Sequence, residues 1–108
     1  MSQSLAHRIR IYVGETDQYE GIPLYKWLIK TSHQHGLAGA TAIRAMEGFG
    51  TDGQLHATKI FRLATDLPVI IEIVDTPDKT EVFIDAIALA TRTVLVTSEP
   101  VSVRSSGD

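Results

Sequence analysis

The chain has 108 residues and no cysteine, with 10 Lys+Arg against 13 Asp+Glu, four histidines and a net charge of −3. These values exclude a disulfide framework, thiolate catalysis and cysteine-bound zinc, and they leave no basic footprint for nucleic acid. With 44% hydrophobic and 21% charged residues the composition is that of one globular domain, expected over 1–108 with an ordered core at about 7–103.

No apolar run nears the ~20 residues a membrane helix requires, and the first eight residues hold no signal-peptide core. A cytoplasmic protein without membrane insertion is therefore expected. The first element lies at about 8–14, where Ile9, Ile11 and Val13 alternate with Arg8, Arg10 and Tyr12. Period two with β-branched residues predicts a strand. Residues 14–18 form a polar turn. A helix should open near Ile22 and Pro23, because proline suits a first helical position. Leu24, Trp27, Leu28, Thr31 and His35 fall on one helical face, with Ile29 at its edge. Gly36 is its natural stop.

A second strand is expected at 40–47, ending in Gly48-Phe49-Gly50. Two glycines around one aromatic give the exit backbone angles closed to other residues. Arg44 shares a face with Ala42 and Met46, an odd companion for a core. Residues 51–66 are expected to form a long, flexible connection, and such loops often carry function. The third strand, 67–74, is apolar on both faces: Leu67, Val69, Ile71 and Ile73 on one, Ile70 and Val74 beside Glu72 on the other. Two apolar faces must both be covered. Two helices cover one, so another copy of the chain is expected over the second.

Thr76-Pro77-Asp78 opens the second helix with a hydroxyl cap, a proline and an acid in the first turn. Its apolar stripe reads Val82, Phe83, Ala86, Ile87 and Ala90, and it should end near Thr91. The last strand is expected at 93–97, with extension through Val101 and Val103, and residues 104–108 should fray. Strand, helix, strand, strand, helix, strand is the order of a ferredoxin-like α+β sandwich (βαββαβ), a four-stranded antiparallel sheet with both helices on one face.

Few residues point to chemistry. Glu72 sits mid-strand, where a carboxylate needs a partner: a basic residue such as Arg10 or Arg44, or a ligand near a subunit boundary. Arg44, Lys59, Arg62 and Arg92 are the basic residues suited to phosphate or carboxylate. Lys59 and Arg62 would meet on a helical turn. His33 and His35 are two apart and make a poor chelate, which leaves His56, with Asp52 near it, as the one histidine to consider for metal. No nucleophile–base pair emerges from the spacing, so an enzyme is not expected.

The run Gly36-Leu37-Ala38-Gly39-Ala40-Thr41, Arg44, Gly48-Phe49-Gly50, Leu55-His56 and Asp66 through Asp75 resembles a bacterial and archaeal family. This is the PII-like family catalogued as domain of unknown function 190. Ile11-Tyr12-Val13-Gly14-Glu15, Gly21 and Pro23-Leu24-Tyr25 fit it as well, and the likeness covers about 8–98. It is similar in fold to the PII signal-transduction proteins, which are trimers that bind adenine nucleotides between subunits. Those proteins contact partners, often membrane transporters, through the loop after the Gly-Phe-Gly strand end.

The resemblance implies a cytoplasmic homotrimeric signalling protein. It would bind a small anion, of which an adenine nucleotide (ATP, ADP or AMP) is one candidate, through Arg44, Gly48, Phe49, Gly50, His56, Glu72, Arg92 and Thr93, to which the basic residues Lys59 and Arg62 read above are added. Its long loop would contact the regulated partner. Arg92-Thr93 matches the Arg-Thr that opens the PII phosphate loop, yet here it leads into Val94-Leu95-Val96 with no glycine-rich stretch. Copper-tolerance proteins share the same sheet, and the alternative implied by them is a metal-binding trimer using His56.

Overall fold

A computed structural model describes residues 2–47 and 67–105. The elements in chain order are β1 (Ser2–Gly14), β2 (Gln18–Tyr19), β3 (Ile22–Pro23), α1 (Leu24–Gln34), β4 (Ala40–Arg44), β5 (Pro68–Asp75), α2 (Pro77–Ala86) and β6 (Leu95–Ser105). Four strands form one antiparallel sheet in the order β4-β5-β1-β6. Each helix links two parallel strands that have a third between them, which is the ferredoxin-like connection.

Alternation decides the layers. Ile9, Ile11 and Val13 of β1 and Val69, Ile71 and Ile73 of β5 form one buried cluster with Leu24 and Leu28 of α1 and Phe83 and Ile87 of the α2 segment. Both described helices thus cover one face. Their opposite neighbours, Ile70, Glu72 and Val74, are only half-buried. Among the described residues no helix lies over that second face.

Local chemistry sets the element ends. β2 and β3 pair around Glu20 (φ 51°) and Gly21 (φ 83°), two positive angles of the kind that suit a tight hairpin. Pairing of Pro23 with Gln18 delays α1 to Leu24, later than the proline at 23 suggests. The helix closes at Gly36 (φ 72°): the Gly36 N–H donates to His33 O at 3.1 Å and the Leu37 N–H to Ser32 O at 3.2 Å. That bonding satisfies carbonyls the helix end would otherwise leave unpaired. Thr76 caps α2, its hydroxyl accepting from the Lys79 N–H at 3.3 Å.

Five expectations change. β1 starts at Ser2 rather than near Arg8, because its N-terminal half pairs with β6. β4 stops at Arg44 instead of 47, with one further bond from the Ala45 N–H to Pro68 O at 2.8 Å. α2 ends at Ala86, and the chain turns through 87–93 with the buried Thr91 hydroxyl donating to Ile87 O at 2.9 Å. Val82 is 63% exposed and Ala86 is exposed, whereas Thr80, Phe83 and Ile87 are buried. The helix therefore faces the sheet along 80–83–87, rotated from the stripe read in the sequence. β6 begins at Leu95 and reaches Ser105, so Arg104 pairs opposite Gln3 instead of fraying.

Candidate functional site

Topology gathers several of the expected residues at one end of the sheet. There β1 and β4 finish, β5 and β6 begin, and the connection across 48–66 leaves and returns. Two backbone bonds close this end: the Glu15 N–H donates to Leu67 O at 3.0 Å, and the Ala45 N–H donates to Pro68 O. Arg44, opposite Val69 at the end of β4, extends to Glu15, with its Nη2 2.8 Å from each carboxylate oxygen. The turn carrying Arg92 and Thr93 is exposed and ends where Leu95 pairs with Tyr12.

The supporting contacts are local. The Asp17 carboxylate accepts from the Gly14 N–H at 2.8 Å, and a Cβ at Gly14 would lie 3.2 Å from it. Glycine therefore lets Asp17 close the turn that presents Glu15. At the far end of β5, Asp75 accepts from the Ala38 N–H at 2.9 Å and the Thr76 N–H at 2.7 Å, tying the entry to β4 to the start of α2.

Arg44 is half-exposed in its pair with Glu15, with side-chain exposures of 57% and 27%. An exposed ion pair contributes little to stability. Exchange of the Glu15 carboxylate for a ligand anion at Arg44 therefore costs the fold little. A guanidinium also presents a planar fork that matches phosphate oxygens.

Glu72 belongs elsewhere. It lies in the middle of the face that neither described helix covers, opposite Thr41 and Arg10, and accepts from Arg10 Nε at 3.0 Å. Arg8 Nη2 donates to Glu99 Oε1 at 2.6 Å, and Arg10 Nη1 stands 3.9 Å from the same oxygen. The result is a neutral network of two arginines and two glutamates across β5, β1 and β6. The hydrogen bond to Glu72 pushes the Arg10 guanidinium above its ordinary value, against desolvation. The hydrogen bond from Arg8, and then the Arg8 charge, hold the Glu99 carboxyl below the usual carboxylate range. Glu72 thus takes the structural pairing with Arg10 that its mid-strand position required.

Of the expected site residues, Arg44, Arg92 and Thr93 come to one end of the sheet and Glu72 does not. Gly48, Phe49, Gly50, His56, Lys59 and Arg62 lie outside the described residues. Among the described residues no three His, Asp or Glu side chains converge on a metal-sized site. Glu15 and Glu99 were not singled out by sequence reasoning. The Gly14-to-Asp17 turn was the available signal for Glu15, while Glu99 is joined to Arg8 only by strand register.

Comparison with known proteins adds the family. Residues 6–103 match the DUF190 family, described as Uncharacterized ACR. A UPF0166 protein of Aquifex aeolicus is 37% identical over 95 residues, 88% of this chain and 90% of that protein. The chain belongs to the DUF190 (UPF0166) family.

A second family member, a UPF0166 protein of Methanocaldococcus jannaschii, is 42% identical over 67 residues, 62% of this chain and 61% of that protein. The DUF190 chain also resembles solved structures. CPII of Thiomonas intermedia K12 bound to ADP, AMP and acetate superposes with a TM-score of 0.70 at 8% identity, over 97% of this chain and 94% of that one. The apo form of CPII, a nitrogen regulatory PII-like protein, gives 0.67 at 10% identity over 94% and 95% of the chains. At such identities the likeness establishes the fold, which is PII-like. Among the described residues no helix is long and apolar enough to cross a membrane.

Proposed function

We propose that this DUF190 protein is a cytoplasmic PII-like regulator and not an enzyme. Copies of the chain assemble, as a trimer. An adenine nucleotide (ATP, ADP or AMP) binds at the end of the sheet that holds Arg44, Arg92 and Thr93, in the cleft between copies. The connection 51–66 contacts a protein partner, a membrane transporter or another regulated protein. The observation that carries this reading is the likeness, over nearly the whole chain, to a PII-like protein with ADP and AMP bound.

Two features of the chain support it. The sheet face that neither described helix covers is partly apolar and offers an assembly surface. The weakly committed Arg44 stands at the base of the long connection and is available to an anion. The ligand regulates by favouring one state of that connection, since equal affinity for both states shifts nothing.

Isothermal titration calorimetry with ATP, ADP and AMP is the test. At least one nucleotide should bind saturably, and Arg44→Ala should weaken it by about tenfold or more, the loss of one charge-assisted contact. No binding at millimolar nucleotide by folded, assembled protein would overturn the nucleotide reading.

A further inference from the structure

The backbone around Arg44 and Glu15 is fixed before their side chains meet. The Glu15 N–H donates to Leu67 O at 3.0 Å and the Ala45 N–H to Pro68 O at 2.8 Å, so both partners are tied to two consecutive residues at the entry to β5. The turn that carries Glu15 is closed by its own bonds. The Gly14 N–H donates to the Asp17 carboxylate at 2.8 Å, and the Asp17 N–H donates to Gly14 O at 3.1 Å. Only side-chain rotamers are ordered when the pair forms, and contacts preorganised in this way form at small cost.

The fold gains little from the pair. Among the described residues Arg44 and Glu15 have only each other as ion-pair partners, outside the network of Arg8, Arg10, Glu72 and Glu99. Of the three paired arginines Arg44 has the most exposed side chain, 57% against 29% for Arg8 and 36% for Arg10. Its charge therefore needs no partner to stay in the folded protein. What the contact supplies is an anion on the guanidinium. Arg44 Nη2 stands 2.8 Å from each Glu15 oxygen, where the oxygens of a ligand's phosphate would sit.

We propose that Glu15 is an internal competitor for the ligand at Arg44. It holds the guanidinium while no ligand is bound, and an incoming phosphate takes its place. Only molecules with Arg44 open are competent to bind, so the apparent affinity falls by that open fraction. An exposed pair is populated only a few times more than its open form, which makes the weakening about two- to sixfold. Glu15 thus sets the nucleotide concentration to which the site responds. This inference rests on the reading that a nucleotide binds beside Arg44, and adds the residue that tunes it.

Calorimetry on the full chain with ATP, ADP and AMP in turn tests it. The proteins compared are wild type, Glu15→Gln, Arg44→Ala, the two substitutions together, and Glu81→Gln on the exposed side of α2. Circular dichroism checks that each folds. Glu15→Gln should bind about two- to sixfold tighter than wild type. Glu81→Gln removes the same charge and should bind as wild type does. In the Arg44→Ala protein the added Glu15→Gln should change nothing, because the competitor has lost its target. If Arg44→Ala binds too weakly to compare, stopped-flow kinetics replace that arm: the gain in Glu15→Gln should fall on the association rate, and a gain confined to dissociation would overturn the proposal. Unchanged affinity in Glu15→Gln, an equal gain in Glu81→Gln, or the same gain without Arg44 would overturn the competitor and leave the nucleotide reading standing. No binding of any of the three nucleotides by wild type or Glu15→Gln would overturn both.

Discussion

Phe83→Ala, set beside Val82→Ala, tests which side of α2 faces the sheet. Phe83 has no solvent exposure and sits in the cluster formed by β1, β5 and the two helices. Its ring meets the His35 ring edge-on with centroids 5.7 Å apart, which holds the end of α1 against α2. His35 is oriented for this by Nδ1, which donates to Thr31 O at 3.0 Å. Truncation removes the buried ring, leaves a cavity and breaks the ring pair, a loss of about 3–5 kcal/mol. That is a large part of the roughly 5–15 kcal/mol that holds a small domain folded.

The neighbouring Val82→Ala is the control, since Val82 is 63% exposed. It should stay within about 0.5 kcal/mol. Urea unfolding at one fixed protein concentration, followed by far-UV circular dichroism, gives both values, provided the slope stays constant. A Val82→Ala loss comparable to that of Phe83→Ala would refute the observed helix rotation and restore the stripe read from the sequence.

Two smaller effects follow from single contacts. Thr76→Ala removes the α2 cap and should cost about 0.5–1 kcal/mol of unfolding free energy, read as a lower urea midpoint at constant slope, while Thr76→Asn should recover most of it. Glu99 is held as a carboxylate by Arg8, so its folded pKa lies below its unfolded one. Its stabilising share is therefore present above the ordinary carboxylate range and disappears as pH falls through the depressed value. The gap in midpoint between wild type and Glu99→Gln should be open at pH 7 and close in acid; a gap independent of pH would contradict the Arg8–Glu99 pairing.

Most of the architecture was legible in the sequence because it rests on local rules. Period-two alternation at Ile9, Ile11 and Val13 and at Val69, Ile71 and Ile73 set the central strands and the face they bury. Gly36 and Thr76-Pro77 set helix ends through backbone angles and caps that depend on few neighbours. Glu72, mid-strand, called for a pairing or hydrogen-bonding partner by desolvation, and Arg10 is one of the two arginines the sequence offered. The reading of α2 was right for Phe83, Ile87 and Ala90 and wrong for Val82 and Ala86, because all five are acceptable on a helix stripe and only the sheet beneath decides which are covered.

Register across distant strands was equally out of reach. Ser2 through Ala6 carry little strand signal, yet become strand because residues 101–105 lie alongside. Arg8 finds Glu99, and Arg44 finds Glu15, across separations that no spacing rule connects. Short-range sterics and alternation thus determined the order and kind of the four sheet strands and two helices, though not the short β2–β3 hairpin. Tertiary structure decided which side chains meet, because pairing between strands is a long-range choice made by the whole sheet at once.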